Sequence, residues 1–379
     1  MIEGMNIGQL QDHLKEQDNL KIDYIQDGNQ MDFQTYVQEE WNEGLQKHTI
    51  SHHGEMRLYG DDYEETVRTT PHANMQIGNR FGIPNSYFNR MLDTEPDLLK
   101  ANVNWWMRKA MPEKKHMVRT LGGRARAFVS NRFNNQLDNY DVVQTLLPPL
   151  EKLDVTFKDS YVTDNRMYLR GMIPGMEREI QTRRSDRGNS QGKVGEVVRM
   201  GFCFSNSEIG LGQLVLEPEI ITLACLNGMT INQLAHKRKH IGMSYSLNNE
   251  IIYKDSTKAL ANQAWLSSVK DEIEHIFKED SFDKIVEQMQ NSADSKEIKD
   301  LEKTRDNVVK DFAMSEAEGK KILEELFNSG DRSQWGMASA ITASAHNAPH
   351  ADRKMDLNKI GWDVVNMEPR KWEELAIAA

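Results

Sequence analysis

The spacing of apolar residues changes along this chain from alternation to a helical repeat, and that change constrains its fold more than any other feature. The stretches 124–131, 155–173 and 197–207 alternate apolar and polar residues, which predicts strands. From residue 257 onward, apolar residues recur three and four positions apart, which predicts helices. We therefore expect an α+β fold, in which a central antiparallel sheet with helices packed on it precedes a helical C-terminal domain.

Three more helices and one ambiguous segment complete the expected core. Pro84 and Pro96 each stand at an early helical position and precede apolar residues at three- and four-residue spacing. A third helix is expected to begin at Asp138 or the residue after it, and the proline pair at 148–149 should stop or bend that helix. The apolar run 216–229 is compatible with either a strand or a helix.

Formal charge is distributed unevenly along the chain. The total is −11, from 47 Lys and Arg against 58 Asp and Glu. Residues 1–104 carry −10 (8 minus 18), residues 105–245 carry +7 (21 minus 14), and residues 246–379 carry −8 (18 minus 26). Because physiological salt screens charges beyond about 8 Å, a polyanion would respond to the basic middle rather than to the total.

These charge shifts divide the chain into three expected units: an acidic peripheral arm over residues 1–74, a basic α+β core domain over 75–245, and an acidic helical domain over 246–379. No apolar run approaches the roughly 18 residues that cross a bilayer, and the first residues lack a secretion-signal pattern. Cys203 and Cys225 lie in apolar surroundings, which favours buried thiols in a reducing compartment. We expect a cytoplasmic protein that does not bind membranes.

Motifs for nucleotide hydrolysis and for common hydrolases are missing from the sequence, which contains no Walker A loop, no HExxH and no GxSxG pattern. Gly210 and Gly212 lack the third glycine of a dinucleotide fingerprint, so an ordinary turn is expected there. His236 and His240 have the spacing of a metal pair, but the cations at 237–239 would repel a metal ion. We predict no catalytic residue, no cofactor and no metal.

The densest functional signal is a stretch that is both basic and aromatic, from Trp105 to Phe133. It holds eight cations against the single acid Glu113. The cations are Arg108, Lys109, Lys114, Lys115, Arg119, Arg124, Arg126 and Arg132. Cations suit a sugar-phosphate backbone, and flat rings such as Trp105 and Phe133 suit unpaired bases. The alternative is that the aromatic residues belong to the core and the cations form a solvated face that is salt-bridged to the acidic ends.

Two further cationic segments fall in the same basic block. Arg183 and Arg184 begin a loop that is too polar to pack, and Lys237, Arg238 and Lys239 follow an Asn-Gly turn. Cations from different parts of a chain are what a continuous nucleic-acid groove requires. We therefore predict that the three segments converge on one surface.

Several motifs resemble a known family. The segments RAFVSNRFNNQLDNYDVVQTLLPPL, MGFCFSNSEIGLGQLVLEPEIITLACLNGM, SQWGMASAITASAH and DRKMDLNKIGW are similar to the phage and plasmid-like family known as domain of unknown function 932. The likeness covers roughly residues 75–365, and its recurrent marks are Phe128 to Phe133, Asn206 to Glu208 and Cys225 to Met229. The resemblance implies a gene of phages or mobile elements, and a distant likeness to single-strand annealing proteins implies an oligomer with a basic groove.

The sequence thus predicts an ATP-independent protein of a phage or mobile element that binds single-stranded DNA and promotes strand annealing or recombination. Its expected partners are single-stranded DNA and further copies of itself, in the cytoplasm of a bacterial host. Two other functions stay open. One is an oligomeric structural or regulatory phage protein without nucleic-acid binding, whose acidic ends pair with the basic middle of a neighbouring subunit. The other is a metal-dependent nuclease, which would gather carboxylates such as Asp138, Asp141, Asp159, Asp164 and Glu208.

Overall fold

A computed structural model describes residues 2–42, 46–133, 137–152, 154–158, 160–183, 193–222, 228–231, 236–238, 255–276 and 279–377. The strands are β1 (Ile2–Met5), β2 (Lys21–Asp27), β3 (Met31–Asn42), β4 (Lys47–Tyr59), β5 (Glu64–Thr69), β6 (Lys115–Leu121), β7 (Arg124–Ser130), β8 (Thr156–Phe157), β9 (Ser160–Val162), β10 (Met167–Thr182), β11 (Val194–Asn206), β12 (Leu214–Thr222), β13 (Gly228–Thr230) and β14 (His236–Arg238). The helices are α1 (Ile7–Asn19), α2 (Pro71–Phe81), α3 (Asn85–Thr94), α4 (Pro96–Trp105), α5 (Asn139–Lys152), α6 (Asp255–Ile276), α7 (Glu279–Ala293), α8 (Leu301–Asp311), α9 (Glu316–Ser329), α10 (Gln334–Ser344), α11 (Ala351–Val365) and α12 (Pro369–Ile377). The fold is α+β, as predicted, but it contains two sheets rather than one central sheet.

The first sheet has six strands in the order β2-β6-β7-β5-β4-β3. Neighbouring strands are antiparallel except β5 and β7, which run parallel, so this sheet is mixed. Helices α2, α3 and α4 cover one of its faces. Residues of alternating strand positions, including Met31, Phe33, Met56 and Leu58, point into this core because side chains at every second position share a face.

The first 74 residues are part of both sheets and do not form a peripheral arm. They supply β1 to the eight-stranded sheet and β2, β3, β4 and β5 to the six-stranded one. Leu10 and Leu14 of α1 are fully buried against α5 and the eight-stranded sheet. The acidic composition of residues 1–74 predicts an exposed arm. Met31 and Phe33, at alternate positions of β3, instead point into the core. The domain boundaries themselves stay predictions.

The second sheet is antiparallel, with the order β1-β9-β10-β11-β12-β13, while β8 pairs with β10 and β14 pairs with β12. The predicted hairpin over 155–173 is confirmed, with the turn closed by the Thr163 amide, which donates to the Arg166 carbonyl at 2.8 Å. The described part of the ambiguous run 216–229 consists of strand residues of β12 and β13. Even positions of β11, such as Phe202 and Phe204, pack on α5 and α6.

The opposite face of the eight-stranded sheet carries polar residues that are buried against α11. The Tyr168 hydroxyl donates to Asp352 at 2.8 Å, and Lys359 pairs with Glu217 at 2.8 Å. Within the sheet, Arg170 Nε donates to Glu219 at 2.9 Å, and both side chains are buried. Such pairs fix how α11 docks on the sheet, since buried polar groups must find their partners.

A helical C-terminal region follows, as the helical spacing predicted. Helices α7 to α12 share a core with β10, β11 and β12, and this core includes the buried tryptophans Trp335, Trp362 and Trp372. Serine caps begin two of these helices: Ser315 caps α9 and Ser333 caps α10. Among the described helices, none has the length and apolar character needed to cross a membrane.

The outer edge of the six-stranded sheet is partly capped by a side chain. Asn104, in α4, accepts a hydrogen bond from the Phe33 amide at 2.7 Å and donates to the Phe33 carbonyl at 2.9 Å. We expect Asn104→Ala to lower the free energy of unfolding by about 1–2 kcal/mol, because both backbone groups lose their partners. Asn89→Ala, at an exposed position of α3, is the matched control and should change stability little. Urea titrations that give equal stabilities for the two variants would contradict this role.

Candidate nucleic-acid interface

Arg119, one of the eight cations of the basic stretch predicted to bind nucleic acid, lies between the two sheets and is only 2% exposed. Its Nε donates to Asp23 at 2.9 Å, its Nη2 to Asp138 at 2.5 Å, and its Nη1 to Asp138 at 2.8 Å and the Glu208 carbonyl at 2.7 Å. Burial opposes the charge, yet the carboxylates of Asp138 and Asp23 raise the pKa of Arg119. A guanidinium whose three nitrogens are all engaged in the interior cannot hold a phosphate.

Glu208 is the second centre of this buried cluster. Its carboxylate accepts from Lys21 Nζ at 2.6 Å, Arg126 Nη2 at 2.8 Å and the Asn139 amide at 2.8 Å. Although burial alone would raise its pKa, Lys21 and Arg126 hold the pKa of Glu208 at about 2. Arg126 is therefore neutralised by a carboxylate within the fold, and its predicted role in holding phosphate is not supported.

Phe133, predicted to stack on bases, is 3% exposed. The Arg119 guanidinium carbon lies 5.3 Å from the centre of its ring, so the ring packs against the buried ion cluster. The base-stacking prediction for Phe133 is therefore wrong, and the reason is that the segment after β7 enters the space between the two sheets. Arg132, the preceding residue, is partly exposed.

The other predicted cationic segments lie on the eight-stranded sheet. Arg183, at the end of β10, donates to the Ser295 carbonyl at 3.0 Å and pairs with Glu297 at 3.6 Å. Lys237 is exposed on β14, beside Val215 of β12. The backbone of Arg238 continues that strand. Arg184 and Lys239 lie outside the described residues. Arg183 is thus held by the helical C-terminal region rather than by the segment that contains Trp105.

An exposed segment that runs from the end of α4 to the start of β6 keeps both properties that the sequence predicted. We name it the tryptophan-lysine edge, and its members are Trp105, Trp106, Lys109, Lys114 and Lys115. Trp105 is 55% exposed and Trp106 is 37% exposed, with their ring centres 4.9 Å apart and their planes nearly perpendicular. The three lysines are exposed. Aromatic faces and mobile cations therefore share one short segment between α4 and β6.

Local backbone structure explains why this edge protrudes. After α4 the chain makes a wide helical turn over Trp106–Ala110 before it enters β6. Arg108, another of the cations predicted to bind nucleic acid, contacts β3: it donates to the Met31 carbonyl at 2.8 Å and lies 3.5 Å from Asp32. The Asn29 amide donates to the Pro112 carbonyl at 3.0 Å. These bonds tie the turn to the sheet, so the edge is anchored while its outer side chains face solvent.

His116 is a buried residue beside the tryptophan-lysine edge, and burial and nearby positive charge lower its pKa. The imidazole is buried between Phe81 and Phe128, and its Nδ1 accepts from Arg80 Nε at 3.3 Å. Burial, followed by the nearby charges of Arg80 and Lys114, lowers the pKa of His116 to about 3. Two cations, one from α2 and one from the residue before β6, therefore lie near one buried ring.

Arg124 is exposed but lies far from this edge. It begins β7 opposite Leu121, the last residue of β6, whereas Lys115 is the first residue of that strand. Six residues at about 3.3 Å each separate the two ends by about 20 Å. The structure therefore brings Lys109, Lys114 and Lys115 into one segment and leaves Arg124 at the other end of the hairpin.

Some carboxylates of the proposed nuclease cluster do come together, but they are held by cations. Asp138 and Glu208 both contact Lys21, at 3.5 and 2.6 Å. Over the described ranges no group of three possible metal ligands is found. Asp159 lies outside those ranges.

Two other residues singled out in the sequence are as predicted. Gly210 adopts a positive φ of 77°, as a turn requires, and Cys203 is buried.

Sequence reasoning missed one prominent surface, the long hairpin of β3 and β4. Its outer part exposes Val37, Trp41 and Ile50. A signal was present, because Met31, Phe33, Val37 and Trp41 all stand at alternate positions of one strand. The acidic composition of residues 1–74 obscured that pattern.

Comparison of the chain with protein-family models, curated proteins and solved structures finds no match. The resemblance carried by the motifs at Phe128, Asn206 and Cys225 stays an expectation.

Proposed function

We propose that this protein binds single-stranded DNA at the tryptophan-lysine edge, without nucleotide hydrolysis, and that it serves strand annealing or recombination. One observation carries the proposal: two exposed tryptophans lie within ten residues of three exposed lysines on an anchored turn. Truncating an aromatic residue that stacks on a base typically costs about 1–3 kcal/mol of binding. The lysines supply mobile cations for the phosphates between stacked bases.

The proposed contact surface is smaller than a groove built from all predicted cations. Arg119 and Arg126 are committed to Asp138 and Glu208, and Phe133 is buried. Three lysines would neutralise about three phosphates, and each contributes about −0.7 to the slope of log affinity against log salt on a single strand. We therefore expect a slope near −2.

Replacing the three lysines tests the proposal directly. We expect the variant Lys109→Ala, Lys114→Ala, Lys115→Ala to bind a labelled oligothymidine at least about ten-fold more weakly at about 50 mM salt, with a much flatter salt slope. Its matched control replaces three exposed lysines of the C-terminal helices: Lys303→Ala, Lys310→Ala and Lys320→Ala. Fluorescence anisotropy measures both variants. Equal affinities of the two triple variants, or no binding by the wild-type protein, would remove the proposal.

Substituting the two tryptophans distinguishes the contribution of base stacking to binding from that of charge attraction. We expect Trp105→Ser with Trp106→Ser to weaken binding while leaving the salt slope unchanged, because stacking releases no counterions. Quenching of tryptophan fluorescence by the oligonucleotide should be reduced in the same variant.

A second function is favoured by a separate observation, the exposed apolar hairpin. An oligomeric structural protein that does not bind nucleic acid would use Val37, Trp41 and Ile50 for assembly. Sizing of the protein without nucleic acid, combined with a negative anisotropy result, would favour this candidate.

A further inference from the structure

The outer part of the β3–β4 hairpin is a two-stranded ribbon, which we define as residues 34–42 of β3 and 47–54 of β4. Only Glu55–Tyr59 of β4 pairs with β5, so the ribbon extends past the rest of the sheet. Two-stranded ribbons are marginally stable in water unless one face is covered. The outer part of the ribbon, where Val37, Trp41 and Ile50 are exposed, therefore has a face that the described residues of one chain leave uncovered.

One face of the ribbon is the direct continuation of the core face of the sheet. In the body, Met31 opposes Leu58 and Phe33 opposes Met56, and these four residues are buried under the helices. The same face continues outward through Val37, Ile50 and Trp41, which are 60%, 67% and 55% exposed. Strand alternation places all of them on one side. The face that the helices cover in the body is uncovered in the ribbon, where the three apolar residues share it with Glu39 and His48.

The free edge of β3 is protected only near the body. Arg108 binds the carbonyl of Met31, and Asn104 binds both backbone groups of Phe33. β3 is the last strand of the six-stranded sheet, and no described strand pairs with its outer edge. Beyond Phe33, an edge strand with an apolar face is a surface suited to another protein.

The net charge of the ribbon is opposite in sign to that of the tryptophan-lysine edge. The ribbon as defined contains Glu39 and Glu40 against Lys47, a net charge of −1. Residues 105–115 contain four cations and one acid, a net charge of +3, together with the exposed Trp105 and Trp106. The two surfaces are therefore complementary in charge, and both offer exposed aromatic or apolar side chains.

The ribbon cannot reach the edge of its own chain. Arg108 contacts Met31 and Asn104 contacts Phe33, so β3 runs away from residues 105–115 as it leaves the body. Trp41 is ten residues beyond Met31, which is about 33 Å along an extended strand. Only a second copy can bring the two surfaces together.

We infer that the ribbon of one copy docks on the tryptophan-lysine edge of another, so that the protein assembles head to tail. A pair of copies joined by one contact keeps one free ribbon and one free edge, and such heterologous contacts build rings or filaments. This inference does not rest on nucleic-acid binding, although the two contacts would compete for the same edge.

Mixing two defective variants tests the head-to-tail arrangement. The ribbon variant is Val37→Thr, Trp41→Thr, Ile50→Thr, which places threonine, a residue suited to strands, at all three positions. The edge variant is Lys109→Glu, Lys114→Glu, Lys115→Glu. We expect the wild type to form assemblies larger than dimers at about 100 μM and about 50 mM salt, and each variant alone to be monomeric. An equimolar mixture of the variants should give a dimer and nothing larger, because one functional contact remains.

Light scattering coupled to size exclusion reads out every outcome. A wild type that stays monomeric overturns the inference, and so does a mixture that fails to dimerise. Assembly that survives in the edge variant but not in the ribbon variant would indicate ribbon-to-ribbon pairing and would also overturn it. If the triple ribbon variant does not fold, Ile50→Thr alone takes its place, because Ile50 is the most exposed of the three apolar residues. We expect this single substitution to weaken assembly at least about ten-fold. The ribbon variant should keep its affinity for oligothymidine, so failure of assembly and failure of DNA binding are distinguishable.

Discussion

Glu208→Gln is expected to lower the free energy of unfolding by about 3–5 kcal/mol, because it removes the carboxylate that pairs with Arg126 and the nearer of the carboxylates that pair with Lys21. The substitution keeps the size of the side chain and removes only the charge. Denaturant titration at neutral pH measures the loss. Glu113→Gln is the matched control, since Glu113 is exposed and the charge change is the same. A loss no larger than that of the control would contradict the structural role of the cluster.

Two further measurements define how the carboxylate acts. Adding Arg126→Met to Glu208→Gln should recover part of the lost stability, because the double variant no longer buries an unpaired guanidinium. The stabilising contribution of Glu208 is fully present above the unfolded pKa of 4.5 and is lost as pH falls toward its folded pKa of about 2. The stability difference between wild type and Glu208→Gln should therefore shrink below pH 4.5.

Contacts within one molecule explain part of the uneven charge of the chain. Cations of the basic middle pair with carboxylates of the acidic ends, as the alternative interpretation of the basic stretch required. These pairs are Arg119 with Asp23, Arg108 with Asp32, Arg178 with Asp283, and Arg183 with Glu297. The tryptophan-lysine edge is the part of the basic stretch in which exposed lysines and exposed aromatic residues coincide.

Local sequence patterns predicted the secondary structure well. The alternating string from Arg124 forms β7, and the proline-initiated segments form α3 and α4 with Phe88 and Leu99 buried. These features depend on neighbouring residues, so they can be derived from spacing alone. The proline pair at 148–149 is expected to stop or bend the helix after Asp138, but the helix continues past it to Lys152.

The pairing of charges could not be derived from spacing. Lys21 and Glu208 are 187 residues apart in sequence, and only the docking of the two sheets joins them. The direction of the Arg126 side chain also could not be derived from spacing. Arg119 opposes Ala127 while Thr120 opposes Ala125, so Arg126 is the extra residue of a β-bulge. A bulge re-aims its side chain, and nothing in the alternation of β7 indicated it.

His116 is expected to make the protein lose stability as the solution is acidified below pH 6.5. Burial between Phe81 and Phe128, followed by the charges of Arg80 and Lys114, lowers its folded pKa to about 3, against 6.5 in the unfolded chain. Between these values the unfolded state binds the proton and the folded state does not. The free energy of unfolding therefore falls by about 1.4 kcal/mol for each pH unit on acidification, or about 2–3 kcal/mol from pH 6.5 to 4.5.

His116→Phe isolates this contribution, because phenylalanine fills the aromatic site and binds no proton. Denaturant titrations at several pH values should show that the stability of the wild type falls relative to His116→Phe over this range. Burial raises the pKa of Asp138 and lowers that of His72, but both groups are present in the two proteins, so their contributions cancel in the difference. His350→Phe, at an exposed position, should run parallel to the wild type. Parallel curves for His116→Phe and wild type would mean that the buried ring is protonated in the folded protein, and that the cations around it do not exclude the proton.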